Sequence, residues 1–238
     1  MLRGRMTEAV VGMSLPIVRG GLRGLRWNVR SGGKLMRVLL GTYEKEQTLA
    51  FEQLLKPGSV LFDVGAHVGY YSLLTSRLVG EKGRVLAFEA MPRNAAFLRH
   101  HVAQNRCSNV EVIEGAVSDR QGIARFGRGT GSGTGRLAES GELEVKTMTL
   151  DDIAVDRGVL PGFVKIDVEG AEERVLDGAS LILREKKPVI FLSTHGADIH
   201  ARCCARLRTL GYELRPIFGT SLDDATEVLA LPSGARPA

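Results

Sequence analysis

Two carboxylates and two glycines in the first half of the chain have the spacing of a ligand site. Asp63 lies in the stretch VLFDVGAHVGYYS, where Gly65 and Gly69 follow it, and Glu89 ends a second apolar run, RVLAFE. A glycine between a strand and a helix lets the backbone turn sharply and lets a ligand approach the helix N-terminus. A carboxylate at the tip of the second strand can accept hydrogen bonds from the two hydroxyls of a ribose. The four residues therefore predict a nucleoside site.

The charge of this site indicates which nucleoside it would bind. A dinucleotide-binding loop reads Gly-x-Gly-x-x-Gly and holds a pyrophosphate, whereas this chain reads Asp-x-Gly-x-x-x-Gly. Asp63 stands near the place of the first glycine, where its charge would repel a pyrophosphate but would suit an ammonium or a sulfonium. The pattern therefore predicts S-adenosylmethionine. For Asp63 alone, contact with the ligand and orientation of the loop are both open.

Three titratable residues farther along the chain are the predicted catalytic residues. Asp167 and Glu169 end the strand in GFVKIDVEG, and His195 ends the next strand, in KPVIFLSTHG. Strand side chains alternate between faces, so the two carboxylates share a face. One of them could be a base or an orienting group for a substrate hydroxyl. Alternatively, the three residues could bind a divalent cation, or Glu169 could cap the helix that begins near Gly170.

The elements that must position these residues are predicted by apolar runs and turn signals. From about Tyr43, short apolar strands alternate with helices in the order β-α-β-α-β, and two more buried strands follow. This order predicts a parallel sheet with helices on both faces. YELRPI and TEVLAL predict a closing antiparallel hairpin. The glycine-rich stretch GRGTGSGTGR lacks the Lys-Ser/Thr pair of a phosphate-binding loop, so it predicts a flexible linker, with a lid over the substrate as the alternative.

Five segments of the chain together resemble the FkbM-type methyltransferases. They are VLFDVGAHVGYYS, VLAFEAMPRN, NVEVIEGAVSD, TLDDIA and FVKIDVEGAEERVLDGA, of which KIDVEGAE is the most specific part. The resemblance covers about Tyr43 to Gly196. It implies a Rossmann-like class-I methyltransferase sandwich, an α/β fold whose mostly parallel seven-stranded sheet ends in a C-terminal antiparallel hairpin. It also implies S-adenosylmethionine as cofactor and O-methylation of hydroxyls on sugars, polyketides and related metabolites. A divalent cation is possible but is not expected.

The resemblance further implies which residues hold the cofactor. His67 stands where the family usually has Asn, and both side chains can form hydrogen bonds. Asp63, Gly65, Ala66 and Gly69 are predicted to hold the methionine end, Glu89 the ribose, and Ala116, Val117 and Ser118 to lie beside the adenine. His67, Tyr70 and Asp167 complete the predicted cofactor-binding set.

The composition of the chain indicates its cellular compartment and its division into segments. Three cysteines, two of them adjacent, favour a reduced, cytoplasmic setting, and no signal peptide or membrane-spanning run is predicted. Residues 1–42 are predicted to be a basic N-terminal extension and residues 43–238 the methyltransferase domain. The extension is expected to be solvated, with three alternatives: docking near the cleft, pairing in a homodimer, or peripheral contact with a membrane that carries a lipid-linked substrate.

Two other functions compete with O-methylation of a small molecule, sugar or lipid-linked glycan. The net charge of +5 and the basic N-terminus favour an RNA methyltransferase, but only 5% of residues are aromatic and no RNA-binding module is apparent. No nucleic-acid partner is therefore expected. The other alternative is a protein that binds S-adenosylmethionine without catalysis, which a product assay would distinguish from an enzyme.

Overall fold

The described residues form an α/β fold around one large sheet. The structure, a computed structural model, describes residues 12–32, 34–128, 135–137 and 143–234. The strands, numbered along the chain, are Ser14–Pro16 (β1), Arg26–Asn28 (β2), Val60–Val64 (β3), Arg84–Glu89 (β4), Val110–Glu114 (β5), Ala116–Val117 (β6), Gly122–Arg128 (β7), Gly135–Leu137 (β8), Leu143–Met148 (β9), Phe163–Ile166 (β10), Val189–Ser193 (β11), Tyr212–Pro216 (β12) and Glu227–Pro232 (β13). The α-helices are Leu35–Leu39 (α1), Lys45–Leu54 (α2), Tyr70–Val79 (α3), Pro92–Gln104 (α4), Leu150–Arg157 (α5), Glu172–Asp177 (α6) and Ala197–Thr209 (α7), with a π-helical turn at Ile182–Lys186.

The large sheet has seven strands in the order β12-β13-β11-β10-β3-β4-β5. Strand β13 runs antiparallel to both of its neighbours, β11 and β12, whereas the remaining neighbours pair in parallel. The mostly parallel sheet and the C-terminal hairpin are therefore confirmed. The inner parallel strands β3, β4, β10 and β11 are buried on both faces: Phe62, Phe88 and Leu192 are almost fully enclosed, which explains why these strands read as continuous apolar runs.

The described part of the N-terminal segment, residues 12–32 and 34–42, packs against the rest of the chain. Ile17, Leu22 and Trp27 are 3% exposed or less and belong to the same apolar cluster as Phe51 in α2. Trp27 stacks on His101 of α4 with the ring centroids 4.1 Å apart. The expectation of a solvated segment is therefore wrong for the described part of the extension, because its apolar side chains complete the core. The division into two domains at residue 42 stays a prediction.

His101 connects this N-terminal segment to the loop after β3. Its Nε2 accepts a hydrogen bond from the backbone N–H of Asn28 at 3.0 Å, so Nδ1 carries the proton and donates to the carbonyl of Val68 at 2.7 Å. Burial lowers the pKa of His101 to about 4, which keeps the ring neutral as this arrangement requires. From the sequence, His101 lies on a predicted helix with no partner signal, which favours a solvated role; the structure shows that this prediction is wrong, because the side chain is buried.

A second, smaller sheet covers one side of the cleft. Its order is β6-β9-β7-β8, and β7 and β9, which lie on either side of the glycine-rich stretch, pair in antiparallel fashion. Most of that stretch lies outside the described residues, so the linker and the lid both stay predictions. In the part of the chain that the structure covers, no helix is long and apolar enough to cross a membrane.

Candidate active site

A cavity of about 340 Å³ lies at the carboxyl ends of the parallel strands. This edge is where open α/β sheets bind ligands, and the volume falls within the roughly 300–1,000 Å³ usual for small-molecule sites. The loops after β3, β4, β10 and β11 contribute to its wall, together with residues of the N-terminal segment, the small sheet and β13. The cavity therefore joins the predicted cofactor residues to a second group of side chains that could contact an acceptor.

The loop after β3 is held in one conformation by close backbone contacts. Gly65 has a φ of +78°, and a Cβ there would lie 1.8 Å from the carbonyl oxygen of Asp167. The backbone N–H groups of Gly65 and Ala66 both donate to the carbonyl of Phe88, at 3.0 and 2.9 Å. Only glycine satisfies both the left-handed conformation and the close approach. The loop is therefore fixed against β4 and β10 where it lines the cavity.

Glu89 joins the loops after β3 and β4. One carboxylate oxygen, Oε2, accepts the backbone N–H of His67 at 2.8 Å, and the other, Oε1, accepts that of Met91 at 2.8 Å. Burial raises the pKa of Glu89, and the two backbone N–H donors oppose that shift. Each carboxylate oxygen can accept two hydrogen bonds, so Oε2 retains capacity for a hydroxyl donor. The position and donor–acceptor chemistry of Glu89 therefore fit the ribose of S-adenosylmethionine.

Asp63, which lies behind the cavity wall, forms a buried ion pair with Lys165, which lines the cavity. Asp63 is completely buried; its Oδ2 accepts from Ser72 Oγ at 2.6 Å, and its Oδ1 lies 3.7 Å from Lys165 Nζ. Lys165 Nζ is also 3.3 Å from Asp167 Oδ2. Burial opposes the charged form of Lys165, but attraction from Asp167 and Asp63 outweighs it and raises the pKa of the ammonium. The position of Asp63 favours the loop-orienting role rather than contact with a ligand.

His195 lies among three carboxylates. Its Nδ1 is 2.8 Å from Glu172 Oε1, and its Nε2 is 3.7 Å from both Asp167 Oδ1 and Glu169 Oε2. The hydrogen bond to Glu172 raises the pKa of His195 to about 9; burial opposes this shift, and the negative charges of Asp167, Glu172 and Glu169 reinforce it. The imidazole is therefore protonated near neutral pH, so it can stabilise negative charge but is not available as a base.

Two alternatives for the acids after β10 do not match the geometry. The proposed cap is wrong, because α6 begins at Glu172 after Ala171, its first turn has no side-chain cap, and Glu172 rather than Glu169 accepts from the N–H of Gly170 at 3.0 Å. Over the described residues, no group of three or more His, Cys, Asp or Glu side chains has the arrangement of a metal site. His195 instead makes ion-pair contacts with the carboxylates around it.

The structure brings most of the predicted site residues to one cavity. Those that line it are Gly65, Ala66, His67, Tyr70, Glu89, Ala116, Val117, Asp167, Glu169 and His195. Asp63, Gly69 and Ser118 do not line it. Gly69 starts α3 with a φ of +98° and packs against Leu98, whereas Ser118 is buried and donates to Asp119 Oδ1 at 2.9 Å. For Gly69 and Ser118 the predicted contact with the cofactor stays a prediction, and for Asp63 the position outside the cavity lining favours orientation of the loop, one of the two roles left open by the sequence.

Several lining residues were missed by the sequence reasoning. Lys165 had an available signal, because it lies two residues before Asp167 and so shares its strand face. Tyr43 and Glu44 precede α2, and Glu44 Oε2 accepts the hydroxyl of Tyr71 at 2.7 Å. Glu227 begins β13, the antiparallel strand, so its amino end lies at the same edge as the carboxyl ends of the parallel strands. No local pattern indicated that these segments reach the cavity.

Comparison with known proteins gives matches to methyltransferases. Residues 63–214 match the family model described as "Methyltransferase FkbM domain". The chain is 31% identical over 159 residues to the 31-O-demethyl-FK506 methyltransferase FkbM of Streptomyces tacrolimicus, a match that covers 52% of this chain and 60% of that protein. It is 27% identical over 177 residues to the hexuronic acid methyltransferase AglP of Haloferax volcanii, covering 73% and 72% of the two chains. The chain thus spans about three fifths of the length of the Streptomyces relative.

Solved structures show the same fold. A methyltransferase FkbM from Methylobacillus flagellatus aligns with a TM-score of 0.54 at 19% identity, over 82% of this chain and 52% of that chain. The precorrin-6y C5,15-methyltransferase of Geobacter metallireducens aligns with a TM-score of 0.51 at 20% identity, over 85% and 92%. The class-I methyltransferase fold predicted from the sequence is confirmed.

Proposed function

Because the chain belongs to the FkbM family of S-adenosylmethionine-dependent methyltransferases, we propose that it methylates a hydroxyl oxygen of a small molecule, a sugar or a lipid-linked glycan. The names of two relatives support oxygen as the acceptor atom, since one protein is named for an O-demethyl compound and the other for hexuronic acid. The single observation that carries the proposal is the continuous cavity between Glu89 and the group of Asp167, Lys165 and His195.

The cofactor would occupy the half of the cavity nearest β3 and β4. When bound, S-adenosylmethionine supplies a methyl group activated by the positive charge on its sulfur. Glu89 would accept hydrogen bonds from the ribose hydroxyls, and the backbone of Gly65, Ala66 and His67 would face the methionine end. Ala116 and Val117 offer an apolar surface for the adenine. Asp63 would act indirectly, by holding α3 and Lys165 in place.

The acceptor would occupy the half of the cavity with aromatic and charged walls. Tyr43 and Tyr70 pack edge to face with their ring centroids 4.7 Å apart, which presents a ring surface suited to a sugar or another cyclic acceptor. Asp167 and Glu169 are the acids that would orient the hydroxyl. His195, being protonated, would position these two carboxylates. Most of the rate enhancement would come from holding the hydroxyl in line with the methyl group, since orientation alone contributes several kcal/mol.

Other parts of the sequence-based hypothesis stay predictions. They include the cytoplasmic location, the homodimer and the peripheral membrane contact of the N-terminus. No contact or charge in the described structure specifically favours RNA as substrate or binding without catalysis, so neither alternative is put forward as a second function.

The test begins with the cofactor. Calorimetric titration of the purified protein with S-adenosylmethionine and S-adenosylhomocysteine should give micromolar binding, and Glu89→Ala should abolish it. Because Glu89 also holds two backbone N–H groups, Glu89→Gln and thermal unfolding of each variant separate lost binding from lost folding. The exposed Glu213, paired with Arg215, provides the matched control Glu213→Ala.

The second step uses the wild-type protein with S-adenosylmethionine labelled in its methyl group. It is incubated with methyl glycosides, uronic acids and macrocyclic alcohols, and label in an ether product is measured. Binding without transfer to any of these alcohols would contradict O-methylation, whereas absence of binding would contradict the cofactor site itself.

A further inference from the structure

Another acid, Glu227, reaches the acceptor side of the cavity from the C-terminal hairpin. Glu227 is the first residue of β13 and pairs with Ser193, the last residue of β11, in the antiparallel register. Since β13 runs opposite to its neighbours, its first residue lies at the edge where the parallel strands end. Glu227 lines the same cavity as Asp167 and Lys165 and lies beyond residue 214, where the family match ends.

The carboxylate of Glu227 is held by one oxygen. Oε2 accepts hydrogen bonds from Gln47 Nε2 at 2.7 Å and from Ser193 Oγ at 2.8 Å. Both donors are buried, so they fix the side chain firmly. Oε1 accepts no hydrogen bond from the residues that the structure describes. Glu227 therefore has one anchored oxygen and one oxygen available to a ligand.

The surroundings of Glu227 favour its neutral form more than those of an ordinary surface glutamate do. Burial raises its pKa, the hydrogen bond from Ser193 opposes this, the negative charges of Asp167 and Glu44 raise it further, and the positive charge of Lys165 lowers it. The net result is a pKa of about 7. A base whose pKa lies near the working pH combines a useful ionised fraction with the ability to take a proton.

His195 and the other acids that line the cavity already have charged or hydrogen-bonding partners. His195 is protonated, and the oxygens of Asp167 lie 3.3 Å from Lys165 Nζ and 3.7 Å from His195 Nε2. Glu44 accepts the hydroxyl of Tyr71. Glu89 accepts two backbone N–H groups in the cofactor half, and Glu169 Oε2 lies 3.7 Å from His195 Nε2 on a half-buried side chain. Of the acids in the cavity, Glu227 has the most suitable oxygen for a proton.

We propose that Glu227 is the general base of the reaction. Its free Oε1 takes the proton of the acceptor hydroxyl while the hydroxyl oxygen bonds to the methyl carbon, and the electron pair of the broken carbon–sulfur bond stays on sulfur. The protonated carboxyl then returns its proton to solvent before the next turnover. Asp167 and Glu169 keep an orienting role in this scheme. The assignment rests on the O-methyltransferase activity proposed above.

The experiment compares Glu227→Gln with wild-type protein and with Glu213→Gln, an exposed control outside the cavity. Glutamine preserves the shape and can still accept from Gln47 and Ser193 through its carbonyl oxygen, but it cannot take a proton. Each protein is titrated with S-adenosylhomocysteine, and turnover with labelled S-adenosylmethionine is measured across pH with the glycoside, uronic acid or alcohol that wild-type protein methylates best. In parallel, ¹³C NMR of protein labelled at the glutamate carboxyl carbons follows the titration of Glu227, assigned by its loss in the variant.

We expect Glu227→Gln to bind S-adenosylhomocysteine as wild-type protein does and to lose roughly 10²–10⁴-fold in kcat, the usual contribution of a general base, with little change in KM. The acid limb of the wild-type pH profile should disappear in this variant, and the NMR titration should have its midpoint near 7. An unchanged kcat and pH profile in Glu227→Gln, or an NMR midpoint near the ordinary value of 4.5, would overturn the assignment. If wild-type protein methylates none of the alcohols, the proposed O-methyltransferase activity is wrong, and the assignment of Glu227 as its general base is wrong as well.

Discussion

His195 donates its Nδ1–H to Glu172, a carboxylate that is completely buried and lies 2.8 Å away. Glu172 Oε1 also accepts the N–H of Gly170, so the imidazole is tied to the start of the segment that leads into α6. This pair explains how a histidine on the loop after β11 keeps a fixed orientation towards Asp167 and Glu169. It also makes the charge of His195 part of the stability of the fold.

The stability of the protein should therefore depend on pH through His195. Its pKa is raised from 6.5 to about 9 in the folded protein, so the folded state binds more protons than the unfolded state between these values. The stabilisation from His195 is complete below 6.5 and is lost as the pH rises through about 9. The melting temperature of wild-type protein should fall across this window, and that of His195→Gln should fall less. Parallel curves for the two proteins would show that the imidazolium does not contribute.

Lys165→Met should destabilise the fold severely. The substitution leaves the completely buried carboxylate of Asp63 without its cation, and removing one partner of a buried pair costs about 3–5 kcal/mol. The double variant Lys165→Met/Asp63→Asn should recover much of this loss, because the uncompensated charge is gone while Ser72 retains an acceptor. Urea unfolding measures each free energy. The control is Arg215→Met, which breaks an exposed pair with Glu213 and should lower the free energy of unfolding by about 1 kcal/mol or less. A similarly small loss for Lys165→Met would contradict a buried ion pair.

Gly65→Ala should remove cofactor binding and lower stability. A Cβ at Gly65 would lie 1.8 Å from the carbonyl of Asp167, so the loop after β3 must move away from β10. Gly24→Ala is a matched control: Gly24 has a similar positive φ of +88°, but no heavy atom lies within 4 Å of the added Cβ. The control should lose only about 1–2 kcal/mol from the left-handed conformation and keep its affinity for S-adenosylhomocysteine. Equal effects of the two substitutions, by calorimetry and thermal unfolding, would mean that the close contact is unimportant.

Trp27→Ala should destabilise the whole protein by about 3–5 kcal/mol, the usual cost of removing a large buried aromatic side chain. Trp27 is 3% exposed and stacks on His101, which in turn holds the carbonyl of Val68 in the loop after β3. Met13→Ala, at an exposed position of the same segment, should change the free energy of unfolding by less than about 0.5 kcal/mol. If chemical unfolding gives Trp27→Ala the stability of wild-type protein, residues 12–42 are not an integral part of the fold.

The sequence alone is enough to predict the sheet, the edge at which the cavity lies and most of the residues of the proposed cofactor half. Apolar runs define buried strands, and in a parallel sheet the residues that follow those runs must gather at one edge. Glu89, Asp167 and His195 could therefore be grouped from their positions alone. The role of Gly65 in the loop after β3 could also be predicted from the sequence, because a positive φ and a close backbone approach both require glycine at that position.

Only the tertiary structure decided which side chains face the cavity and which segments complete it. The sequence identifies Asp63 as an acid in a strand, but only the structure shows that it pairs with Lys165 and lies behind the cavity wall. Gln47 and Glu227 are 180 residues apart in the chain, and their hydrogen bond depends on α2 and β13 packing against the same sheet. Contacts of this kind leave no local pattern, because they are set by how the whole apolar core packs and by the direction in which the last strand enters the sheet.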